Sequence, residues 1–275
     1  MQSKTVLLIS RGTMSGAQVL GDCLVEHEGI RCLKREDLLA AVNKQGDIAT
    51  RVTSRMASAE DNYEEFSEVR RPYLILMKKA LLEQARQGRL CYFGYSGHLL
   101  LDTVAHFVRI RLIAPMNMRI ARTQERLGYS AAEARDYIRR MDQQRTRWAR
   151  LMYGLDIRDT ALYDLCLNVE RLSREGACDL LRKVMLEADF QATPESILQV
   201  ENDYIATEAL AALVTDTRTL QLELGASFAD GVLRLEGPYL SEADRGTVLS
   251  IAASVPGVRR VEYEPGYAPA FRHSR

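Results

Sequence analysis

Thr5-Val-Leu-Leu-Ile-Ser-Arg-Gly-Thr-Met-Ser-Gly16 is the stretch on which the reading of this chain turns. Thr5 to Ile9 is a short apolar run with β-branched residues, which predicts a buried strand. Ser10 to Gly16 is a loop of small residues, and from Ala17 to His27 apolar residues recur at helical spacing. Strand, glycine-containing loop and helix make a βα unit. The start of a helix offers unpaired N–H groups and a partial positive charge, and small residues let the backbone approach an anion. Such a turn also occurs in many α/β proteins that bind nothing there, so the rest of the chain has to decide.

Outward from that unit, Arg35-Glu36-Asp37 opens a helical stretch from Leu38 to Lys44, and residues 59–87 carry a long helical pattern stopped by Gly88. Arg89 to Phe93 reads as a second buried strand, ending at Gly94-Tyr95-Ser96-Gly97. Phe107 to Ala114 reads as a third, closed by Pro115. Asn117 to Met152 is helical apart from a break at Gly128 and Ser130, and Ser130-Ala-Ala-Glu133 fits a capping box. Leu162 to Val169 is a fourth strand candidate, followed by a helix from Ser173 to Ala188. Strands alternating with helices predict an α/β fold, a doubly wound parallel sheet covered on both faces.

The remainder has another rhythm. Residues 191–200, with Thr193-Pro194, read as a linker. Tyr204 to Leu213 is helical, and Thr219 to Phe228 pairs with Gly231 to Gly237 through the hairpin signal Ala229-Asp230-Gly231. Ser241 caps a helix running to Val255, and Val258 to Tyr263 is a last strand. The order α-β-β-α-β defines a small α+β module. The expected division is therefore 1–190, a linker at 191–200, a module at 201–265 and a tail at 266–275.

A length of 275 residues suits two domains, and 47 % hydrophobic with 27 % charged residues excludes a wholly disordered chain. The formal net charge is zero, which argues against a general nucleic-acid coat or a polybasic membrane protein. The zero conceals an uneven distribution. Up to residue 196 there are 30 basic and 26 acidic residues, and beyond it 7 and 11. Residues 119–150 hold nine arginines against four acids. Arg119, Arg122 and Arg126 fall on one helix face, while Asp142 stands close enough to Arg140 and Arg145 to orient a guanidinium toward a cleft. Arg135, Arg147 and Arg150 read as a solvated face, and Trp148 and Tyr153 as packing. His98, with Ser96 and Tyr95, lies at a strand end, where open α/β sheets take their ligands. The five cysteines are scattered and never spaced as CxxC, so free thiols are expected. None of the four histidines lies near a cysteine pair, and no metal ligands are assigned. Neither a secretory leader nor a run long enough to span a membrane is evident, and the expectation is a cytoplasmic protein without membrane contact.

Ile9-Ser-Arg11, Ser15-Gly16, the strand ending at Gly94, Pro115 with Arg119, Arg122 and Arg126, the pair Asp142 and Arg145, and Tyr163-Asp-Leu-Cys-Leu-Asn168 occur in one order. Together they resemble the cytidylate-kinase-like family, a branch of the P-loop nucleoside monophosphate kinases, over about residues 4–188. The resemblance implies a P-loop-kinase sheet with an arginine-rich helical lid, and phosphoryl transfer from ATP to CMP or dCMP with Mg2+. By the same resemblance Ser10, Arg11, Gly12, Ser15, Gly16, Ala17 and Gln18 would bind the nucleotide phosphates, and Arg122, Arg126, Arg140 and Arg145 would serve catalysis. Arg35, Tyr95, Ser96, His98 and Asp142 would bind the substrate.

The chain also departs from the pattern. A Walker loop reads GxxxxGK[ST]; with its second glycine at Gly16, Ala17 replaces the lysine and Gln18 the hydroxyl residue. The family's later loop arginine is also Gln18, its Gly-Arg-Gly after the second strand is Gly94-Tyr95-Ser96-Gly97, and an expected aspartate is Lys34. Phosphoryl transfer rests on positioning and charge stabilisation, so lost cations matter. Two readings stay open: a kinase, and a non-catalytic nucleotide sensor or scaffold with a degenerate loop. Asp203 to Glu264 resembles a BON domain through Leu210, Leu213, Gly231-Val232, Leu235-Glu-Gly237, Ser241-Glu242-Ala243 and Val255-Pro-Gly257-Val258. That resemblance implies phospholipid or protein contact. Because no export signal is evident and the module is net acidic, which disfavours anionic lipid, the expectation is a regulatory module, or one that joins copies of the chain or a protein partner.

Overall fold

A computed structural model of the chain describes residues 4–58, 63–94, 96–101 and 104–266. Its backbone divides into two compact units, each drawn from two stretches of sequence: residues 1–35 with 87–193, and residues 36–86 with 194–275.

The first unit is built on β1 (Val6–Arg11), β2 (Arg31–Lys34), β3 (Leu90–Gly94), β4 (Phe107–Ile113) and β5 (Leu165–Asn168). All pairs are parallel and the order is β2-β3-β1-β4-β5, the arrangement of a P-loop-kinase-like α/β fold. Val6, Leu7, Leu8 and Ile9 are buried without alternation, as a central parallel strand requires. Helices α1 (Ala17–Glu28) and α8 (Arg174–Val184) pack side by side on one face, where Leu7, Ile9, Leu24, Ile110 and Leu181 share a core. Cys23 and Cys178 meet there in a disulfide, with their Cα atoms 6.3 Å apart. The expectation of free thiols is corrected for these two residues. They are 155 positions apart, so only the packing of α1 on α8 brings them together.

Two antiparallel helices, α6 (Met116–Leu127) and α7 (Ala131–Tyr153), follow β4 and share a small core of Ile120, Ala134 and Ile138. The Ser130 capping box is formed with both of its hydrogen bonds. A one-turn helix, α5 (Gly97–Leu100), follows β3.

The second unit combines α2 (Arg35–Asn43), α3 (Asp47–Ser58) and α4 (Tyr63–Ala85) with α9 (Pro194–Val214), β6 (Gly225–Ala229), β7 (Val232–Gly237), α10 (Glu242–Ala253) and β8 (Arg260–Pro265). The sheet order is β6-β7-β8, antiparallel and then parallel. Asp230 and Gly231 both have positive φ, 51° and 79°, the signature of a two-residue hairpin turn.

Three sequence expectations change. Residues 194–200 are not a linker but the first turns of α9, since Pro194 fits the first helical position, where its missing N–H costs nothing. The strand expected from Thr219 begins only at Gly225; residues 216–221 are turns. The helical stretch 36–86 packs with the C-terminal segment rather than with the parallel sheet.

Candidate functional site

The C-terminal ends of β1, β3 and β4 converge on the loop from Gly12 to Gly16. Gly16 caps α1 with φ +97°, a left-handed conformation that favours glycine, and Met14 takes φ 59° beside it. Ser15 is 1 % exposed and its Oγ has no hydrogen-bond partner among the described residues. A bare helix start, a glycine turn and a buried unpaired hydroxyl form a cradle for an anion.

The cradle is roofed by α6 and α7. Arg122 donates from Nη1 to the Met14 carbonyl at 3.4 Å, and the same nitrogen lies 3.0 Å from where a Cβ on Gly16 would stand. Arg119 donates from Nε to the Thr13 carbonyl at 2.6 Å and pairs through Nη2 with Asp142 Oδ2. Asp142 Oδ1 accepts from the Thr13 N–H at 2.9 Å and from Thr13 Oγ1 at 2.7 Å. Burial pushes the Asp142 carboxyl up, but the hydrogen bonds from Arg119 and Thr13 outweigh it and hold the group below its ordinary value. Arg145, nearly buried, donates from Nη1 to the Arg11 carbonyl at 3.4 Å.

Beside the loop opens a cavity of about 630 Å3, within the range of small-molecule sites. Arg11, Gly16, Ala17, Lys34, Arg122 and Arg126 line it, with Asp22 and Glu125 as its carboxylates and Phe93 as its aromatic wall.

The remaining sequence candidates disperse. Ser10 is buried and turned inward: its Oγ accepts from Arg111 Nη1 at 2.9 Å and lies 3.3 Å from the Tyr163 hydroxyl. His98 is buried beneath it, with its ring 4.6 Å from that of Tyr163. Ser96 is buried at the start of α5, and its carbonyl accepts from Leu99 and Leu100. Arg35 sits over the Trp148 ring at 5.6 Å, and Arg140 is exposed and lines neither the loop nor the cavity. Tyr95 and the Gln18 side chain lie outside the described residues.

Thr13 and Arg111 are not among the sequence candidates. Tyr163 and Arg119 enter the sequence reading through the family resemblance and, for Arg119, the basic face, without an assigned role in the site. Thr13 and Asp142 are 129 positions apart, so no local pattern links them. Arg119 did carry a signal, standing one turn before Arg122 in the first turn after Pro115.

A parallel sheet with an anion cradle after its first strand, roofed by arginines from two helices, defines a nucleotide-type P-loop α/β protein. The sequence profile of the cytidylate kinase-like family matches residues 6–171, and the chain belongs to that family. It is 22 % identical over 188 residues to a cytidylate kinase of Pyrococcus horikoshii, covering 68 % of this chain and 92 % of that one. To a cytidylate kinase of Ignicoccus hospitalis it is 22 % identical over 184 residues, covering 66 % and 99 %. Among solved structures, an uncharacterised protein of Eubacterium ventriosum aligns with a TM-score of 0.49 at 16 % identity, covering 66 % of this chain and 99 % of that one.

Proposed function

We propose that the protein is a nucleoside monophosphate kinase that transfers the γ-phosphoryl group of ATP to CMP, dCMP or a closely related acceptor. The observation that carries this reading is the Gly12–Gly16 cradle with the Arg119 and Arg122 guanidinium groups held against it. An oxygen of the acceptor phosphate attacks the γ-phosphorus, the bond to the β,γ-bridging oxygen breaks, and ADP leaves with the electron pair. Charge builds on the transferring group and on the bridging oxygen, and guanidinium groups fixed in advance stabilise it without reorganising. Arg122 and Arg126 line the cavity and Arg122 also reaches the loop at Met14, the place for cations that serve donor and acceptor phosphates together. Arg145 braces the Arg11 backbone from α7.

The cradle fits the phosphates of ATP because Ser15 Oγ is buried without a hydrogen-bond partner among the described residues and stands at the start of α1, where a helix directs N–H groups at an anion. Asp22 and Glu125 are the carboxylates on the cavity wall that would hold Mg2+, which would supply charge neutralisation for the phosphates of ATP. The compartment this reading requires is the ATP-bearing cytoplasm. Among the described residues no helix is long and apolar enough to cross a membrane.

One observation favours the second reading, a nucleotide sensor. Ala17 stands in the lysine position and is 4 % exposed, so the loop itself sends no ammonium to the phosphates. The element order α9-β6-β7-α10-β8 supports reading residues 201–265 as a BON-like module that receives a partner or a second copy of the chain, with 1–190 as the kinase-like part. A coupled assay over a nucleotide panel, run beside thermal melts, tests both readings. CMP- or dCMP-dependent ADP release supports the kinase; a raised melting temperature without turnover supports the sensor; a flat panel in both refutes both.

A further inference from the structure

Two thiols meet at the wall of the cavity. Cys32 of β2 and Cys91 of β3 are register partners in the parallel sheet, so their side chains leave the same face side by side. Neighbouring strands lie about 4.8 Å apart, inside the range of roughly 4.4–6.8 Å between Cα atoms that a disulfide spans. Both cysteines are free thiols, but their surroundings differ. Cys91 is fully buried, whereas Cys32 is half-buried and forms part of the cavity wall with Gly21, Lys34 and Phe93.

The Cys32 thiol donates to the Gly21 carbonyl of α1 at 3.5 Å, and the Cys91 thiol hydrogen-bonds to the Cys32 sulfur. That second bond holds the Cys32 thiol below its ordinary value, against burial and the charge of Asp22. Burial pushes the Cys91 thiol well up, so it keeps its proton. One sulfur is reachable and nucleophilic, and the other is adjacent and protected, the division of labour between an attacking and a resolving thiol. The other cysteines take no part: Cys23 and Cys178 are already bonded to each other, and Cys166 is exposed on β5 at the opposite edge of the sheet.

We infer that Cys32 and Cys91 form an oxidation site on the cavity wall, which a hydroperoxide closes into a disulfide. The Cys32 thiolate attacks an oxygen of the hydroperoxide; the S–O bond forms, the O–O bond breaks, and the leaving oxygen departs with the electron pair and takes up a proton. The Cys91 sulfur then attacks the Cys32 sulfur; the S–S bond forms, the S–O bond breaks, and the hydroxyl leaves as water with the Cys91 proton. The two cysteines together lose two electrons, which reduce the hydroperoxide to water or an alcohol. The chemistry is independent of what the cavity normally holds, but an occupant seated against Cys32 would screen it.

The test treats the full chain, with Cys23–Cys178 intact, with stoichiometric hydrogen peroxide. Remaining thiols are blocked with N-ethylmaleimide, and the protein is digested without reduction for mass spectrometry. A peptide pair joined through Cys32 and Cys91 is expected, forming about tenfold faster than the oxidation of exposed Cys166. In Cys91→Ser, Cys32 is expected to stop at the sulfenic acid, where dimedone traps it; in Cys32→Ser, Cys91 is expected to form no disulfide. Unliganded melts check folding; if Cys91→Ser does not fold, Cys91→Ala takes its place. CMP is expected to slow the oxidation of the unmodified protein several-fold.

A Cys32 that stays a thiol while Cys166 is oxidised overturns the inference. So does a Cys32 sulfinic acid beside a free Cys91 in the unmodified protein, or a cross-link from either residue to Cys23 or Cys178 instead. A Cys32–Cys91 disulfide that forms at the same rate with CMP present leaves the inference standing and counts against the cavity as the acceptor site. Transfer to CMP by a protein whose Cys32 ignores peroxide does the reverse.

Discussion

The two sheets of this protein treat their side chains in opposite ways. In the five-stranded parallel sheet β1 and β3 are buried along nearly their whole length, and the candidate site lies in the loops where β1, β3 and β4 end. In the three-stranded sheet, β7 alternates: Leu233 and Leu235 turn to the core while Arg234 and Glu236 face water, where Arg234 pairs with Glu262 of β8. Parallel strands aim their C-terminal ends at one edge and so concentrate loops there, whereas a hairpin sends neighbouring strand ends in opposite directions. The first sheet builds a site and the second builds a stable surface.

The largest effects should come from the two cores. Leu7 and Leu233 are both fully buried, and either one changed to alanine is expected to cost about 2–5 kcal/mol in chemical denaturation. Leu7→Ala should also weaken nucleotide binding, because β1 ends in the loop; Leu233→Ala should leave it unchanged at temperatures where the protein stays folded. Equal losses of binding in both variants would break the comparison.

The next effect depends on pH. Burial, helped by the charge of Lys4, lowers His106 from its usual 6.5 to about 4. The unfolded chain therefore takes up this proton first. The contribution is intact above about pH 6.5 and is lost progressively as pH falls toward 4. The urea midpoint should drop across that window, and less so in His106→Gln.

Gly16→Ala comes next, at about 1–2 kcal/mol for a side chain held at left-handed φ. It should also weaken nucleotide binding, because the new methyl meets the Arg122 guanidinium. Melts with and without nucleotide separate the two effects. Smaller again, Ser130→Ala removes the α7 cap at about 0.5–2 kcal/mol, and thermal melts read it directly. Without change of sequence, denatured and unreduced protein should titrate three thiols, Cys32, Cys91 and Cys166.

Local chemistry was legible and tertiary pairing was not. The β1-loop-α1 unit, β3, β4, the Ser130 cap and the Asp230-Gly231 turn each follow from a few adjacent residues. β2 was not recognised because Arg31-Cys-Leu-Lys34 is four residues long with charged ends. α3 did carry a signal, since Ile48, Val52 and Met56 recur every fourth position and the latter two are buried. In the site, the loop and the basic face of α6 could be read from spacing. The inward turn of Ser10 could not, because it depends on Arg111 one strand away and on Tyr163 beyond β4.

The second unit is assembled from separated pieces of chain, with α4 packed on α9 and joined to it by the pairs Lys79–Glu208 and Arg86–Glu201. During synthesis α4 is complete before α9 begins, and the intervening stretch of roughly 100 residues takes about 5–20 s to make at typical ribosomal rates. For that interval α4 has α3 to pack on but not yet α9. The second unit is therefore completed only after every strand of the parallel sheet has been made.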